Sequence, residues 1–131
     1  MSKYDVNKFK QVTVALNTPF QPDGSVNLKA VRAVVNYFYN KGIRQMYVCG
    51  STGEGFLLDT QERMAVTETV VEEAAGRMNI IVHVGCPDTR HSEELARHAE
   101  KAGADATSAV PCVYYRIGEE SVFQHWTKIT E

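Results

Sequence analysis

Short apolar runs alternate along this chain with longer stretches in which apolar residues return every three or four positions, a pattern that predicts strands alternating with helices. The first run, Val12-Thr13-Val14-Ala15-Leu16, reads as a buried strand stopped by Asn17-Thr18-Pro19-Phe20 and the turn Pro22-Asp23-Gly24. Asn27 then caps a helix with Leu28, Val31, Val35 and Phe38 on one face, ended by Gly42. Met46-Tyr47-Val48-Cys49 is the second strand. Asp59 and Glu62 have the spacing of a capping box, and the helix they open sets Val66, Val70 and Ala74 in one stripe, flanked by Met64 and Val71 and closed by Gly76. The third run, Ile80-Ile81-Val82-His83-Val84, is nearly continuous and β-branched, which predicts a strand covered on both faces and broken at Gly85-Cys86-Pro87. Asp88 caps the next helix, with Leu95, Ala99 and Ala102 inward and Gly103 at its end. Ala106 to Val110 is the fourth strand, ending at Pro111. A last helix from about Glu119 carries Val122, Phe123, Trp126 and Ile129 on one side.

Strands that start roughly 25 to 35 residues apart, each followed by a helix, make four consecutive βα units and predict an α/β fold with a parallel sheet and right-handed crossovers. Two architectures fit this order: half of a (β/α)8 TIM barrel, or a small open doubly wound parallel sheet. In both, ligands are held by the loops that leave the carboxyl ends of the strands. One such loop stands out. In Tyr47-Val48-Cys49-Gly50-Ser51-Thr52-Gly53-Glu54-Gly55 an apolar strand runs into three glycines and two hydroxyls. Glycines allow positive φ and close approach to main-chain N–H groups, and Ser51 and Thr52 add donors, a combination that suits an anion. No Lys follows the second glycine as in a phosphate-binding loop, and the spacing differs from the dinucleotide fingerprint, so a small carboxylate is the favoured ligand. The alternative is a tight strand-to-helix connection that binds nothing.

Composition narrows the class without changing the picture. A chain of 131 residues fits a single domain, 1–131, since one domain commonly takes about 100 to 200 residues. The net charge of -2 and the scattered Lys and Arg residues give no basis for nucleic-acid binding, and no apolar run is long enough for a membrane span, so a soluble, cytoplasmic protein is expected. Cys49, Cys86 and Cys112 cannot all pair within one chain, and without a C-x-x-C spacing neither a disulfide framework nor a metal site is expected. His91 and His98 are expected to face water, His125 neighbours Trp126, and His83 within its strand is expected to have a satisfied structural role. Glu54 is a candidate acid or base, although a carboxylate near a helix entrance is more often structural. Tyr37, Phe38 and Tyr39 read as packing or contact residues.

Four segments taken together carry a family likeness: Leu16-Asn17-Thr18-Pro19-Phe20, the Tyr47 to Glu54 stretch, His83-Val84-Gly85-Cys86, and Ser108-Ala109-Val110 leading to Tyr114-Tyr115. In these the chain resembles the N-acetylneuraminate lyase and dihydrodipicolinate synthase family of Schiff-base (β/α)8 aldolases, over nearly its whole length but only the N-terminal half of theirs. Ser51 and His83-Val84-Gly85-Cys86 look more like the sialic-acid lyases than the synthases. The resemblance implies that Ser51, Thr52, Gly50 and Gly53 hold the carboxylate of a keto acid, pyruvate or sialic acid, and that Ser51 shares a catalytic hydroxyl relay with Tyr114, which reaches a neighbouring subunit. Because Pro111-Cys112 stands ahead of Val113, a local shift would give that role to Tyr115. The family's Schiff-base lysine and its partner tyrosine belong to later strands. A lysine nucleophile must sit inside the site, and none of Lys3, Lys8, Lys10, Lys29, Lys41, Lys101 and Lys128 is expected there. The expectation is a chain inactive alone in the aldol cleavage of sialic acid to pyruvate and N-acetylmannosamine; the alternatives are a non-catalytic carboxylate-binding or self-assembling half-barrel module and a synthase-like condensing fragment. No cofactor is implied. Self-association into a homo-oligomer is expected, because edge strands with unpaired N–H and C=O groups invite pairing.

Overall fold

A computed structural model describes residues 5–110 and 114–131. Four strands, β1 (Val14–Ala15), β2 (Gln45–Val48), β3 (Asn79–His83) and β4 (Ala106–Ser108), lie side by side in chain order, every pair parallel. Helices α1 (Leu28–Asn40), α2 (Thr60–Ala74), α3 (Thr89–Ala102) and α4 (Glu119–Thr130) follow them in turn. The helix starts are those predicted. Asn27 accepts the Ala30 N–H at 3.0 Å, Asp88 accepts the His91 N–H at 3.1 Å, and Asp59 and Glu62 exchange both bonds of a capping box at 2.8 and 2.9 Å. Gly103, at φ 94, ends α3 in the left-handed conformation that favours glycine.

The register decides between the two architectures. Met46 pairs with Ile80 and Val48 with Val82, and all four are buried together with Val31, Val35, Val66, Val70, Leu95 and Ala99 from the helices. Each helix packs on the next, α1 on α2, α2 on α3 and α3 on α4, so the helices form one layer on one face. Ala15, Tyr47, Ile81 and Ala106, aligned across the sheet on the opposite face, are half-buried or exposed. A doubly wound sheet carries helices on both faces, so the arrangement is half of a (β/α)8 barrel with its inner face open. This also corrects the expectation for β3. Ile80 and Val82 on its helix face are buried, whereas the opposite face is covered at His83 but not at Ile81, which, branched like the residues that fill a barrel interior, lies half-open.

Three further boundaries differ from the sequence expectation. The first strand shrinks to two residues, with Val12 73% exposed, because β1 pairs only with β2. β4 stops at Ser108 rather than Val110, since the Val110 N–H turns to His83 Nε2 at 3.3 Å. In α4 the inner positions are Val122, His125 and Ile129, while Phe123 and Trp126 point outward, 63% and 42% exposed. His125 takes the place assigned to an aromatic because its Nδ1 meets the Thr89 hydroxyl of α3 at 2.9 Å.

Ahead of β1, a 3-10 turn (Val6–Phe9) lies across the amino ends of the strands. Lys8 pairs with Asp105 at 2.7 Å, Asn79 donates to the Lys8 carbonyl at 2.8 Å, and Gln45 donates to the Phe9 carbonyl at 3.2 Å. These contacts floor the half-barrel at the end away from the glycine loop. Among the described residues, no helix is long and apolar enough to cross a membrane.

Candidate functional site

β2 ends at Val48 and α2 begins at Thr60, and the connection between them is one continuous turn with no strand or helix of its own. Its glycines do not act as predicted. The positive φ values belong to Cys49 (58) and Glu54 (55), whereas Gly50, Gly53 and Gly55 are needed for close packing. A Cβ at Gly50 would run into the Tyr47 ring, one at Gly53 would lie 2.8 Å from the Leu16 carbonyl oxygen, and one at Gly55 would overlap the Cys49 carbonyl. Gly55 N–H donates to the Gly50 carbonyl and Glu54 N–H to the Ser51 carbonyl, both at 3.1 Å. The buried Thr18 hydroxyl donates to the Gly53 carbonyl at 2.7 Å and ties the loop to the end of β1. Among the described residues, the N–H groups of Ser51, Thr52 and Gly53 meet no acceptor. The side chains of Ser51 and Thr52 are exposed beside them, while Gly50 and Gly53 are buried. A shallow cavity of about 200 Å3 opens next to this turn, lined by Ser51, Glu54, Gly55, Phe56 and Leu57.

Beneath the loop sits a residue that the sequence reading passed over. Arg63, on the first turn of α2, is only 3% exposed, and its guanidinium donates to the carbonyls of His83 at 2.6 Å and Gly85 at 3.1 Å, and to Cys86 Sγ at 3.1 Å. It thereby holds the exit of β3 against the start of α2. His83 lies beside it, with Arg63 Nη2 3.4 Å from Nδ1, the Val110 N–H on Nε2, and the Phe56 ring edge-on at 5.3 Å between centroids. Burial, and then the Arg63 charge, push the His83 pKa down to about 4, which keeps the ring neutral at ordinary pH. The structural role expected of His83 is the one found. Cys49 is buried with its thiol 3.9 Å from the Arg63 carbonyl, and burial pushes that thiol up to about 11. The signal for Arg63 was present: it precedes Val66, Val70 and Ala74 at helical spacing, a charge standing in the apolar stripe. A second pair of polar groups occupies the open face, where the Tyr47 hydroxyl donates to Ser108 Oγ at 3.1 Å, directly under Gly50.

The remaining candidates fall elsewhere. Pro111, Cys112 and Val113 lie outside the described residues, as does Lys3. Tyr114 is 89% exposed with φ 86, and its ring meets Tyr115 edge-on at 4.9 Å. Among the described residues, no hydrogen bond joins Ser51 to either tyrosine. Glu54 is exposed at the cavity rim. His91 is exposed and pairs with Asp88 at 2.7 Å, but His98, expected to face water, is half-buried and bridges α3 to Glu68 of α2 at 2.8 Å. Tyr37 is largely exposed and packs edge-on against Phe38, while Tyr39 is held between the guanidinium groups of Arg44 and Arg77, 4.2 and 4.4 Å from its ring centroid.

Residues 8–131 match the model of the dihydrodipicolinate synthetase family. The chain is 36% identical over 126 residues to an N-acetylneuraminate lyase of Mediterraneibacter gnavus, spanning 96% of this chain and 40% of that protein. It is 40% identical over 119 residues to a 4-hydroxy-tetrahydrodipicolinate synthase of Chlorobaculum parvum, spanning 91% of this chain and 40% of that protein. Among solved structures it superposes on wild-type sialic acid aldolase of Ruminococcus gnavus with a TM-score of 0.91 at 36% identity, covering 94% of this chain and 41% of the other. The chain therefore spans about 40% of the length of the curated relatives it matches.

Proposed function

Because the chain belongs to the dihydrodipicolinate synthetase family, we propose that it supplies the keto-acid-binding half of a pyruvate-dependent Schiff-base aldolase and that these 131 residues alone do not perform the carbon-carbon step. One observation supports the binding role most directly. Ser51, Thr52 and Gly53 offer consecutive N–H groups that meet no acceptor among the described residues, two of them beside exposed hydroxyls, at the carboxyl ends of the strands. Donors already in place for a carboxylate need little reorganisation when it arrives, and charge-assisted hydrogen bonds of this kind are roughly twice as strong as neutral ones. Gly50 and Gly53 let the turn pack closely on the Tyr47 ring and the Leu16 carbonyl. Tyr114, which is exposed, acts across a contact with a neighbouring subunit, with Tyr115 as the alternative.

The placement of the amines supports the second part. Lys8 is paired with Asp105 at the opposite end of the sheet, Lys10 is exposed there, and Lys29, Lys41, Lys101 and Lys128 lie on the outer helices or just past their ends. None can reach a keto acid seated on Ser51. Sialic acid and pyruvate are the keto acids favoured by Ser51 and the His83-Val84-Gly85-Cys86 segment; condensation in the manner of a synthase is the alternative. The test is pyruvate binding followed by ligand-observed NMR, together with borohydride reduction and mass spectrometry. Binding that is lost in Ser51→Ala/Thr52→Ala, with no covalent adduct, is the expected result. A reduced pyruvate adduct on any of the seven lysines would overturn the inactive assignment, and binding untouched by the double substitution would overturn the site.

A further inference from the structure

His83 does more than fill its place in β3, and we infer that it is a positioning residue for the keto-acid site, its ring fastening the exit of β4 to the base of the Ser51 loop. The inference rests on the carboxylate-binding role proposed for that loop. It adds a residue that does not itself touch the ligand: His83 is 2% exposed and acts through its neighbours.

The ring lies between the segments it holds. Nε2 accepts the Val110 N–H at 3.3 Å, and Val110 stands four residues before Tyr114 in the chain. A neutral ring that accepts at Nε2 carries its proton on Nδ1. Arg63 Nη2, 3.4 Å from Nδ1, does not need the ring as an acceptor, because it already donates to the His83 carbonyl at 2.6 Å. On the loop side the Cys49 backbone accepts a hydrogen bond from the ring. Cys49 is the first residue after β2, and its φ of 58 turns the chain toward Gly50 and Ser51. Phe56, edge-on to the ring at 5.3 Å between centroids, lines the cavity of about 200 Å3 together with Ser51. One imidazole thus meets the start of the loop, a wall of its cavity and the chain that leaves β4.

Gly85 leaves the room this junction needs. A Cβ there would lie 2.9 Å from His83 Nε2 and 3.4 Å from the Val110 nitrogen, so a side chain would press the ring and Val110 apart. A second cross-link reinforces the first. The Tyr47 hydroxyl donates to Ser108 Oγ at 3.1 Å while its ring backs Gly50, so β2 as well as β3 grips the end of β4 beneath the loop. A buried polar side chain with no duty but its own satisfaction needs any partner at all. Both partners of this one belong to segments given ligand duties. Donors for a bound group must be held within about 0.5 Å of their productive place, so loosening the base of the loop weakens carboxylate binding without removing a single donor.

Pyruvate affinity measured by ligand-observed NMR tests this, with the folding of each variant checked by circular dichroism. His83→Leu removes both hydrogen bonds of the ring. His83→Gln can restore them, its carbonyl accepting from Val110 and its amide donating to Cys49. Gly85→Ala keeps the imidazole but displaces it from Val110, and Val35→Ala, in the core on α1, lowers stability away from the site. The expected result is a pyruvate Kd raised about tenfold or more by His83→Leu and by Gly85→Ala, and within about threefold of wild type for His83→Gln and Val35→Ala. Ring-nitrogen NMR of the wild type should find the proton on Nδ1, and saturating pyruvate should shift the ring nitrogens and the Val110 amide, which needs no variant. His83→Leu or Gly85→Ala binding as tightly as Val35→Ala would overturn the role of His83, as would His83→Gln binding as weakly as His83→Leu. Ring and Val110 signals unmoved by bound pyruvate would overturn it too. A wild type that binds no pyruvate is a different failure, which removes the keto-acid reading itself and this inference with it.

Discussion

Replacing Arg63 with Met tests whether the buried guanidinium is the strut between α2 and the exit of β3. Methionine keeps most of the aliphatic stem, so the packing around Val66 is disturbed little. The carbonyls of His83 and Gly85, now bonded at 2.6 and 3.1 Å, lose their donor. Each buried acceptor left unsatisfied costs about 1 to 3 kcal/mol. Part of that loss is offset, because Arg63 Nε is buried with no partner among the described residues and the charge no longer has to be desolvated. The balance is a destabilisation of about 2 to 4 kcal/mol, read as a lower urea midpoint at unchanged slope and fixed chain concentration. A second readout separates a strut from a mere space-filler. Burial is the first cause of the depressed His83 pKa and the Arg63 charge is the second, so the substitution should raise that pKa from about 4 while leaving it below the ordinary 6.5. NMR titration of the His83 ring measures it. A variant within about 0.5 kcal/mol of wild type whose His83 titrates unchanged would refute the role given to Arg63.

Gly55→Ala should destabilise the chain by about 3 kcal/mol in the same urea assay, because the new Cβ meets the rigid Cys49 carbonyl, whereas Gly118→Ala, with open space around it, should change stability by less than about 1 kcal/mol. The folded pKa of His83 lies below its unfolded value, so as pH falls under 6.5 the unfolded chain takes up the proton first. Stability should therefore fall by about 3 kcal/mol between pH 6.5 and about 4, and His83→Gln should remove that part of the slope in urea titrations run at stepped pH. Asp88, whose pKa is lowered first by its bond to His91, adds its own loss at more acidic pH in both proteins. Thiol labelling at pH 8 followed by peptide mapping should leave Cys49 unmodified in the folded chain, since it is buried and its thiol is pushed up to about 11; modification at the rate of an unfolded control would contradict that burial.

The helix starts were legible because a cap is local: Asn27, Asp59 and Asp88 need only the few residues after them. The alternation of strand and helix was equally plain. What periodicity could not supply was which face of the sheet the helices cover, because Ile80 and Ile81 are the same residue on opposite faces and only the register tells them apart. The loop was found from its glycines and hydroxyls, but the reason for the glycines was missed. Their constraint comes from Tyr47, Leu16 and Cys49 pressing on them in three dimensions, and a one-dimensional pattern carries no such distances. Arg63 and His125 were overlooked for a related reason. Each is a polar residue on an inward face, and its partner is distant in sequence: His83 and Gly85 for the one, Thr89 for the other.

The floor of the half-barrel bears on the order in which the molecule assembles. Lys8 and Asp105 are 97 residues apart, and bringing two such distant points together from a loose coil costs several kcal/mol of chain entropy, on the order of ten times what a partly exposed ion pair returns. The clasp can therefore snap shut only after the sheet has already aligned its strands. Trimming it would leave the folding rate alone and show up as a faster escape from the native state.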